Sequence, residues 1–573
     1  MRRHPDPDAS KVRRSSGFGS RFARASRLAI GALLAAPRLS ATPAAALAAA
    51  LVAALATGSG AFAQYGPVDP YDASLRAIRE GIASRNGGTQ HAAMVALRGL
   101  ASPSLRPLFE RLVTSDEWSL RVDAVLGLAE LGPADAVAPG AGGSRRLDLA
   151  LLDALPGETD RETTIGAALG LGLLDAAQVE SILGWEDLRA PQRALLALEL
   201  RRLGGRPDDG VIRRIVESRT PEVALVGAAL ALDCGLADAQ ELSDAAFALV
   251  EAISAERSRS GIVSQVVDSC SSNGLRGAAP YAARLASLAG IAPEVRLKAL
   301  GSLLVLDASV ARPLLESIAT ADRSQLGLMR LASVLVASGV PLPEADWNRI
   351  RNGDRLLETI ADAGIAIGAG DLEGGYAKLA QLRHRVTLRA AVDGARRAGP
   401  SAERAIGRAA LALLSDGDRR ELGPLAESVL LALARLAREE PEALRAALAG
   451  AESDRDLQEA LLLALSSAGT KAAADVALAA RGHTSRLGEA LVAVLEARHA
   501  EKVEPATLEI LAIAAGGGVA VDPTIRTQAA WLWLEHADRA ADALRDLAPA
   551  AADPISPNPT ARPSGAPTPE RER

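Results

Sequence analysis

Aromatic side chains are scarce in this chain: five Phe, four Tyr and five Trp in 573 residues. A core with so few rings has to be filled by Ala, Leu and Val, so its helices should pack closely through small side chains. Lysine is scarcer still, at five of the 64 basic residues, and Arg carries almost all of the positive charge. Cysteine is limited to Cys234 and Cys270, too few for a disulfide-stapled scaffold. The histidines beyond the N-terminal segment, His91, His384, His483, His499 and His536, show no HExxH or HxH spacing, and no cysteine pair accompanies them. No metal ligand set is therefore expected. A G-x-S-x-G nucleophile elbow is missing as well. The Gly-rich stretch Gly368–Gly375 lacks the spacing and the Lys of a phosphate loop, and its Asp371 and Glu373 would repel phosphate. It is expected to be a turn, and no cofactor is implied.

Long apolar runs are missing too, with one exception. Nine Arg and Lys precede the run Ala44–Thr57, which Gly58-Ser59-Gly60 breaks before Ala61-Phe62-Ala63 and Gln64. A basic flank, an apolar run and an A-x-A site in that order make residues 1–63 a signal peptide with a long basic n-region. The alternative is an uncleaved anchor, because the apolar character extends over about 20 residues. The expected location is periplasmic or secreted in a bacterium, with membrane attachment only if the leader stays. The full chain carries a net charge of −6; without residues 1–63 it holds 55 basic against 68 acidic residues, or −13. Such a chain is a poor candidate for nucleic-acid binding.

What the sequence does hold is a repeat. In Pro293–Ala319 (PEVRLKALGSLLVLDASVARPLLESIA), Leu297, Leu300, Leu303, Leu304 and Leu306 recur at helical steps. Asp307 ends that helix; Ser309 is the expected N-cap and Pro313 falls in the expected first turn of the next. Val310, Leu314, Leu315 and Ile318 are the expected stripe of that second helix. Similar turns fall at Gly132, Asp175, Gly204, Gly235, Gly274, Asp307, Gly339, Gly370 and Gly399, with steps from Gly204 of 31, 39, 33, 32, 31 and 29 residues. The interval from Gly399 to Gly469 fits two repeats with a turn near Arg435. Helices this short are marginal alone and must be stacked on neighbours. A period of this size built from helix pairs is the mark of an α-solenoid.

The run-ups LRVDAVLGLAELG and VRLKALGSLLVLD resemble the second-helix signature of HEAT-type repeats in their short form of about 30 residues. The likeness covers most of Tyr71–Leu547. Tetratricopeptide repeats have a close period but need aromatic residues at set places, which this chain lacks. The resemblance implies an all-α, right-handed superhelix of about fourteen helix pairs over residues 64–548. It offers a long surface to a partner and implies no reaction. Gly339–Asp346 is a possible seam, Pro133–Arg146 and Gly516–Pro523 are expected loops, and 549–573 is an expected disordered, Pro-rich tail.

Cys234 and Cys270 fall at nearly equivalent positions of adjacent repeats. Export would permit a bridge, but packed helices lie roughly 8–10 Å apart and a disulfide spans only about 4.4–6.8 Å between Cα atoms. Two separate thiols fit better, with a bridge as the alternative. The carboxylate pairs Asp208/Asp209, Asp416/Asp418 and Asp454/Asp456 fall at expected turns, where Asp caps helices.

Two constellations remain as candidate partner sites. Between Tyr376 and Gly399 six basic residues face Asp393 alone, and Arg385, Arg389 and Arg396 fall within about 40° of one another on a helix. They form an expected basic stripe facing solvent, either an ordinary solvated helix face or a docking site for an anionic envelope polymer or an acidic protein. Trp531 and Trp533, two residues apart, point some 160° from each other, so one enters the core and the other stays near solvent, as a binding anchor or as a seal on the last repeat. The function these features imply is an exported, non-enzymatic interaction scaffold. Two rivals stand beside it: a catalytic protein, as some short HEAT-like repeat proteins are lyases that attach chromophores, and an anchored structural protein of the envelope.

Overall fold

A computed structural model of the chain describes residues 69–132, 145–254, 257–288, 290–415, 425–451, 454–517 and 522–547. The expected signal peptide, most of the expected Pro133–Arg146 loop, Asp416 and Asp418, the middle of Gly516–Pro523 and the expected Pro-rich tail lie outside them. The described residues form 29 α-helices and no strand, each helix packed on its neighbours, as an all-α helical-repeat solenoid requires. None of these helices is long and apolar enough to cross a membrane.

In chain order, α1 (Pro70–Ile82), α2 (Gly87–Leu100) and α3 (Trp118–Leu131) come early in the described chain. Its middle holds α4 (Pro293–Leu306), α5 (Ala308–Ala321), α6 (Gln325–Ser338), α7 (Arg355–Gly368), α8 (Arg385–Ala398) and α9 (Ala426–Glu439), and α10 (Arg486–His499), α11 (Pro505–Ala515) and α12 (Pro523–His536) come late. Other helices lie between them.

The local grammar of the repeat is largely as expected. Gly132, Gly204, Gly235, Gly274, Gly339, Gly370, Gly399 and Gly469 all have positive φ at helix ends. Asp175 differs: the preceding helix stops earlier, with Gly172 at φ 68, and Asp175 instead caps the next helix through its carboxylate and the Gln178 amide. Near Arg435 there is no turn. Arg435 lies inside α9, and the chain turns at Glu440, because LALARLARE offers no residue that breaks a helix. Around Asp307 the start of α5 is two residues earlier than expected. Asp307, not Ser309, is the N-cap, accepting from the amides of Ser309 (3.0 Å) and Val310 (3.3 Å). Pro313 consequently sits inside α5. The buried stripe is Ala311, Leu315 and Ala319, and Val310 is 44% exposed.

The chain forms two compact units. The larger spans Ile165–His483; the smaller joins the described residues up to Thr164 with those from Thr484 onward. In the larger unit α4 packs on α6, α6 on α7 and α8, and α8 on α9. Gly339–Asp346 lies inside this unit as the connection after α6. In the smaller unit the last repeats pack directly on the first: α12 lies against α1 and α2, and α11 against α1. Trp531 of α12 is fully buried there, its indole N–H donating to Ser104 Oγ at 3.1 Å. Gln528 donates to the Ala96 carbonyl at 3.3 Å, Ser102 to Glu535 at 2.7 Å, and Tyr71 to Asp546 at 2.6 Å. Trp531 is thus the tryptophan that enters the core, and the apolar face of α12 is covered by α1 and α2. Trp533 is half-buried.

Candidate functional site

The tightest approach in the larger unit lies between α6 and α8. A Cβ on Gly394 would run into the carbonyl oxygen of Val336, and one on Gly339 into the carbonyl oxygen of Gly394. Gly339 also sits at φ 66, where only glycine is unstrained. The backbones therefore touch near the C-terminal ends of both helices. Toward their N-terminal ends a groove of about 650 Å³ opens, lined also by α4 and α7.

Its floor is apolar: Leu297 of α4, Leu326, Met329 and Val334 of α6, Leu356 of α7 and Val386 of α8. Leu326 is 61% exposed and Val386 55%, two of the most exposed large apolar side chains among the described residues. The rim is polar. Arg330 pairs with Glu294 at 2.9 Å across α6 and α4, and Lys298 reaches Asp268 only at 4.0 Å. Gln325 donates to Asp354 at 2.7 Å. His384 lies at the lip and caps α8, its Nδ1 accepting from the Thr387 amide at 3.4 Å and lying 2.9 Å from Thr387 Oγ1.

The arginines of the expected stripe lie on α8 but are not alike. Arg385, the first residue of α8 and next to Val386, is exposed and makes no ion pair among the described residues. Arg389 is tied to α9 through Glu427 at 2.7 Å and to Asp393 at 3.4 Å. Arg396 is half-buried, and burial pulls its guanidinium pKa below the usual value. Arg397 donates to the Ala337 carbonyl at 3.2 Å and to Asp268 at 3.1 Å. Arg389 and Arg396 therefore face the α8–α9 seam, whereas Arg385 is exposed at the start of α8 and is not among the residues that line the groove.

Leu326 and Val386 were missed by periodicity because helix phase alone puts them on the solvent side. The available signal was a bulky apolar residue in the first turn of each helix, where a polar residue would do.

Chemistry elsewhere is sparse. No group of His, Cys, Asp and Glu able to hold a metal ion occurs among the described residues. Cys270 is buried and Cys234 half-buried, and both are free thiols. Burial pushes Cys270 up to about 12 and also raises Cys234, so neither is poised as a thiolate nucleophile. His91 leans on Asp123 (3.0 Å) and His536 on the Ala497 carbonyl (2.7 Å). Asp454 caps its helix through the Leu457 amide at 3.1 Å. Asp208 occupies a cap position without a side-chain capping bond. Gly368–Gly375 is a turn, with Asp371 accepting from Gly374 at 2.9 Å.

Comparison with protein-family models, curated proteins and solved structures finds no match to this chain. The likeness to short HEAT-type repeats rests on the run-ups quoted above.

Proposed function

We propose that this chain is an exported, non-enzymatic scaffold that holds a segment of a protein partner in the groove between α4, α6, α7 and α8. The observation that carries this reading is that Leu326 and Val386, both exposed, line the same concave apolar site. Monomeric proteins expose single apolar residues freely, but a concave site lined by several points to a ligand. Helical repeats suit the role, because parallel helices of successive repeats lay down a continuous surface. Export is supported by the order of basic, apolar and A-x-A segments in residues 1–63. The raised thiol pKa values speak against thiolate chemistry at Cys234 and Cys270.

The test is retention of a partner from cell-envelope extract by the tagged chain, by L326E/V386E, and by R385A/R389A/R396A. A partner held by the wild type and lost by L326E/V386E is the expected result. Equal retention by the wild type and L326E/V386E would remove the groove from the account. Loss in the arginine triple variant alone would move the docking surface to the α8–α9 seam.

A further inference from the structure

Away from the groove, the larger unit buries an arginine that no acid answers. Arg193 is the fourth residue of the helix Ala190–Arg202, as Arg121 is of α3 in the smaller unit. Both reach back to the turn before their own helix. Arg121 donates to the Ser115 carbonyl at 2.6 Å, and Arg193 to the Trp185 carbonyl at 3.1 Å. Arg121 then turns its Nε to Asp160 at 2.7 Å, the third residue of the helix Glu158–Leu171. The third residue of Pro221–Cys234, the helix that packs on Ala190–Arg202, is Val223, and it is fully buried. Arg193 makes no ion pair among the described residues, and its Nε has no hydrogen-bond partner there, although the residue is only 6% exposed. A guanidinium taken out of water against one neutral acceptor is costly. Burial first, and then the charge of Arg214, push the Arg193 pKa below its ordinary value, and no acid offsets them. Arg214 belongs to Asp209–Val216, which also packs on Ala190–Arg202. It is exposed and donates only to the Gly210 carbonyl of its own helix, at 3.3 Å. Nη1 of Arg193 also lacks a hydrogen bond, but unlike Nε it is not sealed from solvent. Two guanidiniums on adjacent helices thus keep unused donors, with no carboxylate paired to either. Broken local rules of this kind concentrate where a function needs them.

We propose that Arg193 and Arg214 bind a phosphate group, either inorganic phosphate or the end of a phosphomonoester. Its oxygens accept from Nη1 of Arg193 and from the fork of Arg214. Its charge does for Arg193 what Asp160 does for Arg121. A phosphomonoester carries about −1.5 to −2 charges at pH 7, which matches two guanidiniums, whereas one carboxylate would leave a cation over. The small exposed edge of Arg193 admits a terminal phosphate and excludes a diester, whose phosphorus is substituted on both sides.

The experiment is calorimetric titration of the full chain, freed of phosphate and sulfate, with inorganic phosphate, phenyl phosphate and diphenyl phosphate at constant ionic strength. Saturable binding of inorganic phosphate, and none of the diester, is expected. Phenyl phosphate binding as tightly would assign the site to the end of a monoester, and weaker binding to the free ion. R193M should abolish the binding, and R214Q should weaken it about tenfold, the loss of one charge-assisted contact. Phosphate should also raise the melting temperature of the wild type in a saturable way, as binding to the folded state requires. The general stabilising effect of phosphate as a salt is not saturable and is shared by the variants. R193M removes a buried, unpaired charge, so without phosphate it should melt no lower than the wild type. R214Q, at an exposed position, tests the site independently of folding. No saturable binding by the wild type, or binding that R193M and R214Q leave unchanged, would overturn the site and leave Arg193 as an arginine satisfied by water.

Discussion

At the scale of single residues, Gly394 and Gly339 decide the geometry of the groove. They let α6 and α8 touch at one end, so that the same helices part at the other. Gly394→Ala places a methyl group against a backbone carbonyl, which cannot swing aside as a side chain can. Overpacking of this kind costs about 1–3 kcal/mol. A clear loss of stability in denaturant melts of G394A is therefore expected, and an unchanged midpoint would mean that the helices are further apart than described here. His91 provides a titration at the same scale. Its hydrogen bond to Asp123 raises its pKa above the ordinary 6.5. A raised folded-state pKa means that the pair contributes fully below the unfolded value, and that the contribution is lost as pH rises through the folded one. Wild-type stability should fall across that window above pH 6.5, and H91Q should lack that component of the fall.

At the scale of the element, the repeat shows itself in its ion pairs. Arg98 meets Glu130, Arg201 meets Asp233 and Arg408 meets Glu440, each 32 residues apart. The spacing matches the sequence period because an Arg on one helix faces the equivalent position of the next repeat. The first of these is nearly closed to solvent: Arg98 also donates to Asp123 at 2.8 Å, with both side chains under 10% exposed. R98A leaves the buried Asp123 with only the exposed His91 as a partner, a loss of about 3 kcal/mol. R98M/D123N should recover much of it, and a double variant as unstable as R98A would contradict this account. Most of this level was legible beforehand. Leu297, Leu300, Leu303 and Leu304 are buried as their spacing requires, and the glycine turns fall where the period puts them. Asp307 could serve equally to end α4 or to cap α5, so the sequence was ambiguous by two residues, which misplaced Ser309, Pro313 and Val310. Arg385 was legible as a charge anomaly. Leu326 and Val386 were not legible as groove residues, because which helices part, and where, depends on contacts between residues sixty positions apart.

At the scale of the molecule, the consequential finding in the smaller unit is that the last repeats cover the first. No local pattern announces that Trp531 will bond Ser104 or that Tyr71 will bond Asp546; a repeat sequence looks the same whether its end is capped, open or joined. Truncating a fully buried Trp costs about 3–5 kcal/mol. W531A should accordingly speed amide hydrogen exchange in α1 and α2 as well as in α12, whereas faster exchange in α12 alone would show that these helices do not support one another. In the larger unit, the claim on which the functional account turns is that the apolar groove between α4, α6, α7 and α8 is open for a partner.

The most direct measurement is a fluorescence titration of the folded chain with anilinonaphthalene sulfonate, an apolar anion. We predict a saturable site that is lost in L326E/V386E, with circular dichroism unchanged. Dye binding that is absent in the wild type, or present and indifferent to L326E/V386E, would contradict the groove as the working surface.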